Sequence, residues 1–199
     1  MHMSAIVAAL ILVVTPHGPR PPHGAGDTTP GAASAAQNAQ ATPAPAGTPP
    51  PNAALEYAMG SDASVMRDGH ASTFIKNKVA NPTSWGSTMQ ALPADEVRGK
   101  RLMVTGYIKT SAIARYAEYW VRVDGADHHV LTYDDMSNRP LSGTADWRAF
   151  TIVLDVPASA TNVSMGLLLN GTGEAWVGDV NVAVVTKDVP LTGGRGTSP

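Results

Sequence analysis

The sequence predicts an all-β fold, an antiparallel sandwich of two sheets, and three observations predict it. Apolar and polar residues alternate with a period of two through most of residues 54–187. The alternating runs are rich in Val, Ile, Thr and Tyr, whose branched or aromatic side chains pack well on a pleated surface. Turn sequences built on Gly, Asn and Asp fall between the runs.

The elements follow in chain order. Residues 72–78 and 84–92 read as two early strands. Residues 93–98 (PADEVR) read as one helical turn, with Pro at its first position, acids at its start and Gly99 at its exit. Leu102, Val104 and Ile108 then alternate with Met103, Thr105, Tyr107 and Lys109. Tyr119, Val121 and Val123 alternate with Trp120, Arg122 and Asp124, and Asp124-Gly125 suggests a hairpin turn. Residues 134–143 read as a long loop. Phe150, Ile152 and Leu154 form one face of a later strand, as do Val163, Met165 and Leu167. Asn170-Gly171-Thr172-Gly173 separates these from a closing strand in which Trp176, Val180, Val182 and Val184 share one parity. Trp147 and Trp176 are assigned to the core on parity. About eight strands with turns at this spacing make a two-sheet sandwich or jelly roll.

Composition divides the chain. Before Tyr57 there is no aromatic residue, and residues 16–53 are mostly Ala, Pro, Gly, Thr and Gln. Such a segment favours extended chain and buries no core, so it reads as a disordered linker. Residues 1–15 carry an apolar run, 5–14, of the length of a secretory h-region, without a basic segment before it. The readings are export to the periplasm, cell envelope or medium, or an apolar tail on a cytoplasmic protein. Residues 188–199 read as a disordered tail. The net charge of −2 gives no polybasic footprint for nucleic acid, the absence of cysteine excludes disulfide scaffolds and Cys-based zinc fingers, and no apolar run spans a membrane.

Three segments carry a resemblance. GKRLMVTGYIKT (99–110) resembles a strand of galactose-binding-like jelly rolls and carbohydrate-binding modules. AFTIVLDV (149–156), with Trp147 and Pro157 flanking it, and GEAWVGDVNVAVV (173–185) resemble two later strands of the same superfamily. WVRVDG (120–125) and DDMSNRPLSGTADW (134–147) resemble an uncharacterised bacterial branch of it. The resemblance implies a jelly roll with a carbohydrate-like ligand. Several relatives hold a structural calcium through paired acids on the closing strand. Gly178 replaces the first acid here, which leaves Asp179 as a possible ligand. No other cofactor is expected.

The candidate ligand-binding residues follow from parity. Tyr107, Lys109, Trp120, Arg122 and Asp124 fall on the outward parity of the middle strands. Rings stack on the apolar faces of sugars, and charged groups take their hydroxyls. The alternative is that Trp120 packs under a loop and Arg122 braces Asp134 or Asp135. Asp134 and Arg139 belong to the long loop, where Arg139 either meets a ligand or ties the loop down through Asp135 or Asp146. Trp85 and Gln90 either line the same concavity or, for Trp85 with Met89, enter the core. Asp124, Asp127, His128 and His129 invite a metal reading, but adjacent histidines of a strand face opposite ways, which favours a solvated hairpin tip. No catalytic motif stands out. The function expected is a non-catalytic binding module for a carbohydrate-like ligand. The alternatives are a structural or protein-interaction sandwich, and a hydrolase using Asp124 and Asp134.

Overall fold

The computed structural model describes residues 50–193. The expected leader, nearly all of the expected linker, and residues 194–199 lie outside the described residues. A short helix, α1 (Ala53–Glu56), leads into nine strands: β1 (Tyr57–Arg67), β2 (His70–Asn77), β3 (Trp85–Ser87), β4 (Gln90–Pro93), β5 (Arg101–Asp124), β6 (Val130–Asp134), β7 (Leu141–Asp155), β8 (Asn162–Asn170) and β9 (Glu174–Val185). Single 3-10 turns lie at Ala94–Glu96 and Ala126–His128.

All pairing is antiparallel, and the fold is the jelly-roll β-sandwich that the alternation predicts. Its two layers are one continuous sheet curled on itself, and β5 makes the curl. The first half of β5 pairs with β9 and β7; its second half pairs with β8 and β6. One layer is therefore β1, β2, β9, early β5 and β7, and the other is β3 and β4, β8, late β5 and β6.

The two runs predicted as separate strands, 102–109 and 119–124, are thus one 24-residue strand. What the alternation hides is a break in phase between them. Register against β7 shifts at Ile108/Thr110, Thr110/Ile113 and Ile113/Ala117, and Ala112 takes φ +52°. Before the break the even residues Leu102, Val104 and Ile108 are buried; after it the odd residues Ala117, Tyr119, Val121 and Val123 are. The curl lets both sets enter one core, where the Tyr119 ring stacks on Phe150 of β7 with centroids 4.6 Å apart.

A bulge likewise corrects the closing strand. Thr105 pairs with Asn181 but Tyr107 with Gly178, so β9 carries an extra residue, and Asp179 there has φ +52°. Parity inverts across it: Ala175 and Val177 face the core before the bulge, Val182 after it. Trp176 consequently points out of the core. It is covered by β1, where its indole Nε1 donates to Asp62 Oδ2 at 3.0 Å. Trp147 also lies outside the core, half-buried.

Further differences concern short or irregular pairing. β1, β6 and the first half of β7 were not predicted. The run 84–92 divides into β3 and β4, which pair in turn with β8. Between them Thr88 bridges to Leu167: its N donates to the Leu167 carbonyl at 2.9 Å, and its hydroxyl accepts from Leu167 N at 2.9 Å. The start of the expected tail is held against the sheet, with Thr192 N donating to Val153 O at 3.1 Å.

The Thr88 crossing fits because β8 carries glycine beneath it. A Cβ on Gly166 would lie 1.9 Å from the Thr88 carbonyl oxygen, a backbone atom. Gly166→Ala is expected to lower stability by about 1–3 kcal/mol through forced displacement of this crossing, measured by urea unfolding.

Candidate functional site

The phase break in β5 decides which side chains face outward in the second layer. Tyr116, Glu118, Trp120, Arg122 and Asp124 all point away from the core. Across the ladder Arg122 faces Tyr133 of β6, while Glu118 faces Leu168 and Tyr116 faces Asn170 of β8. Trp85 of β3 pairs with Asn170 and completes the row. These residues form a second apolar cluster: Trp120 and Leu168 are its buried floor, and Trp85, Tyr116 and Tyr133 pack against it half-buried.

Trp120 is not the open stacking ring that parity alone suggests. It is 5% exposed, and its Nε1 donates to Ser87 Oγ at 2.7 Å. The β3–β4 crossing lies over it, so the loop-covered alternative describes its environment. Arg122 is braced, but by neither Asp134 nor Asp135. Its Nε lies 3.0 Å from Asp124, two residues along the same face, and that carboxylate is almost wholly buried.

The other candidates are dispersed. Tyr107 is on the outer face of the opposite layer, with the Arg67 guanidinium 3.9 Å over its ring. Lys109 is on that layer too, with its Nζ 2.7 Å from Asp146. Asp134 pairs in register with Val121, so it faces the core side of β6, away from Arg122. There it accepts from Met136 N at 2.9 Å, Thr192 Oγ1 at 2.6 Å and Arg139 Nη2 at 3.2 Å. Arg139 thus ties the loop down, through Asp134 rather than Asp135 or Asp146. The cleft beside it, about 370 Å³, is lined by Met136, Leu141, Phe150 and Thr192 among others. Asp124 and Asp134 lie on opposite faces of the sheet and do not form the carboxylate pair the hydrolase reading requires. Gln90 is exposed on the edge strand β4, and Met89 is 60% exposed, not core. His128 and His129 are exposed at the hairpin tip, where His129 Nδ1 sits 2.6 Å from the Ala126 carbonyl.

The surroundings of Asp179 do not fit a calcium ion. Its Oδ2 lies 3.5 Å from Arg67 Nε, so a guanidinium already occupies the cation position. Burial, and then the neighbouring Asp68 carboxyl, push the Asp179 carboxyl above its ordinary range. Among the described residues no three His, Asp or Glu side chains converge as a metal site.

Parity applied to the first run alone missed Tyr116 and Glu118, which share the even phase of Trp120. Glu118 is the more informative. It is 3% exposed and has no hydrogen-bond or ion-pair partner among the described residues. Burial, with smaller contributions from Asp135 and Asp134, pushes its carboxyl up to about 8. The same burial, with Asp135 and Glu118 nearby, raises the Tyr133 hydroxyl. Tyr116 Oη accepts from Asn170 Nδ2 at 3.1 Å, which fixes that ring at the rim. The face is therefore an aromatic row with a buried acid, an internally paired guanidinium and an amide along it.

No protein-family model matches the chain. Over 139 residues, 69% of its length, the chain is 38% identical to the Uncharacterized HTH-type transcriptional regulator YbfP of Bacillus subtilis (strain 168); the match covers 47% of that protein, so the chain spans about half of the curated relative's length. Among solved structures, the enzymatically active domain of bacteriophage CBA120 tailspike protein 4 aligns over 65% of this chain and 18% of that one, with TM-score 0.50 and 12% identity. The family 22 xylan-binding domain of Paenibacillus barcinonensis Xyn10C aligns over 70% of this chain and 85% of that one, with TM-score 0.49 and 13% identity. A family 16 carbohydrate-binding module aligns over 63% and 85%, with TM-score 0.46 and 14% identity. These likenesses concern the fold alone. No helix among the described residues is long and apolar enough to cross a membrane.

The raised Glu118 carboxyl has a consequence for stability. The folded chain keeps this proton between about pH 4.5 and 8, where the unfolded chain has released it, so stability falls as pH rises through that window. Glu118→Gln is expected to remove the decline and to gain on wild type by about 2–4 kcal/mol near pH 8, measured by urea unfolding at pH 5 and pH 8. Asp62 and Asp155, held near 2 by hydrogen bonds and an ion pair, act only below the window.

Proposed function

We propose that the domain is a non-catalytic carbohydrate-binding module whose ligand lies on the outer face of the second layer, across Trp85, Tyr116 and Tyr133. One observation carries this reading: three half-buried rings stand in a row above a buried Trp120–Leu168 floor, with Glu118 and Asn170 beside them. Pyranose rings offer apolar C–H faces for stacking and hydroxyls for directional hydrogen bonds, which this mixture matches. Trp120 acts as the floor and Arg122–Asp124 as a brace at one end. Tyr107, Asp134 and Arg139 have no part in the face.

The likeness to a regulator is compatible with this reading. A match over 69% of 199 residues includes at least residues 63–137, which lie in the β-domain. The described residues contain no helix-turn-helix, since α1 has four residues and the other helices are single 3-10 turns. What the two chains share supports a sensing or binding module more than a DNA-reading one. A protein-interaction role is favoured by one feature, the edge strand β1, where Met59 and Met66 are 42% and 56% exposed. Export through residues 1–15 stands as a proposal beside these.

Calorimetry with xylohexaose and cellohexaose, neutral linear sugars with two stacking faces per residue, tests the reading. Binding is expected, and Trp85→Ala is expected to weaken it about tenfold while Tyr107→Ala leaves it unchanged. Equal effects of the two substitutions, or no binding, would contradict it.

A further inference from the structure

We propose that Glu118 meets the ligand as a neutral acid and donates its O–H to a sugar oxygen, so that binding is linked to one proton and weakens in alkaline medium. The proposal rests on the carbohydrate-binding reading above. Its basis is what surrounds the carboxyl. Glu118 sits between Tyr116 and Trp120 on one strand face, opposite the apolar Leu168 of β8. β3 contributes Trp85 to the same cluster. From the β6 side the groups nearby are Tyr133, Asp134 and Asp135, which carry no positive charge. Two cations border this face among the described residues: Arg122, whose Nε lies 3.0 Å from Asp124, and Arg115, whose Nη1 donates to Asn170 Oδ1 at 3.3 Å.

An ionised carboxylate here would be 97% buried against apolar and acidic neighbours, with no compensating donor among the described residues. Desolvation and like charge both oppose that state, so the proton stays. The protonation state sets the chemistry. A carboxylate only accepts hydrogen bonds, whereas a carboxylic acid also donates one. Glu118 therefore supplies a donor at the floor of the face. No proton is transferred to the sugar; it is held by Glu118 in the complex and lost on ionisation, which removes the donor and places a charge against the ligand.

Calorimetric titration of the full chain with xylohexaose and cellohexaose between pH 7 and 9.5, with a carbon-13 titration of the Glu118 carboxyl by NMR, tests this. Affinity is expected to be about tenfold lower near pH 9 than at pH 7, tracking the carboxyl titration. Glu118→Gln, whose amide N–H replaces the acid O–H, is expected to bind within about fivefold of wild type at pH 7 and to lose the slope. Binding that is flat in pH, or a carboxyl that titrates in the ordinary glutamate range, overturns the proton link and leaves the carbohydrate reading standing. Absence of binding by both proteins at every pH overturns the reading and the proposal together.

Discussion

The structure depends on one strand that changes its inner face halfway along. β5 delivers Leu102, Val104 and Ile108 to the core from one layer, and Tyr119, Val121 and Val123 from the other. A regular strand of this length buries a single parity. The irregular pairing between Ile108 and Ala117, with Ala112 in the left-handed region, reverses the phase at the point where the sheet curls. Without it, the second half would turn Glu118, Trp120, Arg122 and Asp124 inward and leave three aliphatic or aromatic core residues facing water. The closed core and the polar-aromatic outer row are thus two consequences of the same break.

That row is kept from collapse by its floor. Leu168 and Trp120 are buried from outside by the β3–β4 crossing, which requires the absence of a side chain at Gly166 and a hydrogen bond from Trp120 to Ser87. The half-buried rings then rest on a rigid base at low conformational cost, which is the condition for pre-formed recognition. A separate clamp of Asp134, Arg139 and Thr192 fastens the β6–β7 loop and the C-terminal segment on the far side of β6. The two polar arrangements read alike in sequence, since both contain an Arg and an Asp close together. Parity relative to the core separates them: Asp134 stands opposite Val121, and Tyr133 opposite Arg122.

Much of the fold was legible because alternation survives wherever pairing is regular. The turn at 93–98, β8, the later part of β7 and both halves of β5 follow directly from it. Phase across a bulge was not legible. A strand read locally on either side of Ala112 or Asp179 gives correct alternation and a wrong relation between the two sides, and for that reason Tyr107 was grouped with Trp120 and Trp176 was assigned to the core. Trp85, Trp120, Arg122 and Asp124, which residue type and parity single out, lie on the face proposed as the site. Glu118 was missed because an acid between two tyrosines looks solvated, and its burial arises only from chain far away in sequence, at residues 85–88 and 133–135. β1 and β6 escaped because their burial is too irregular to impose a period of two.

The four tryptophans report on this arrangement directly. Trp85 and Trp120 belong to the outer face of the second layer, and Trp147 and Trp176 to the outer face of the first. Titration of nitrogen-15-labelled protein with cellohexaose, followed through the four indole N–H signals, locates the ligand without any substitution. The signals of Trp85 and Trp120 are expected to move together while those of Trp147 and Trp176 stay fixed. Movement of Trp147 and Trp176 with Trp85 and Trp120 unmoved would contradict it.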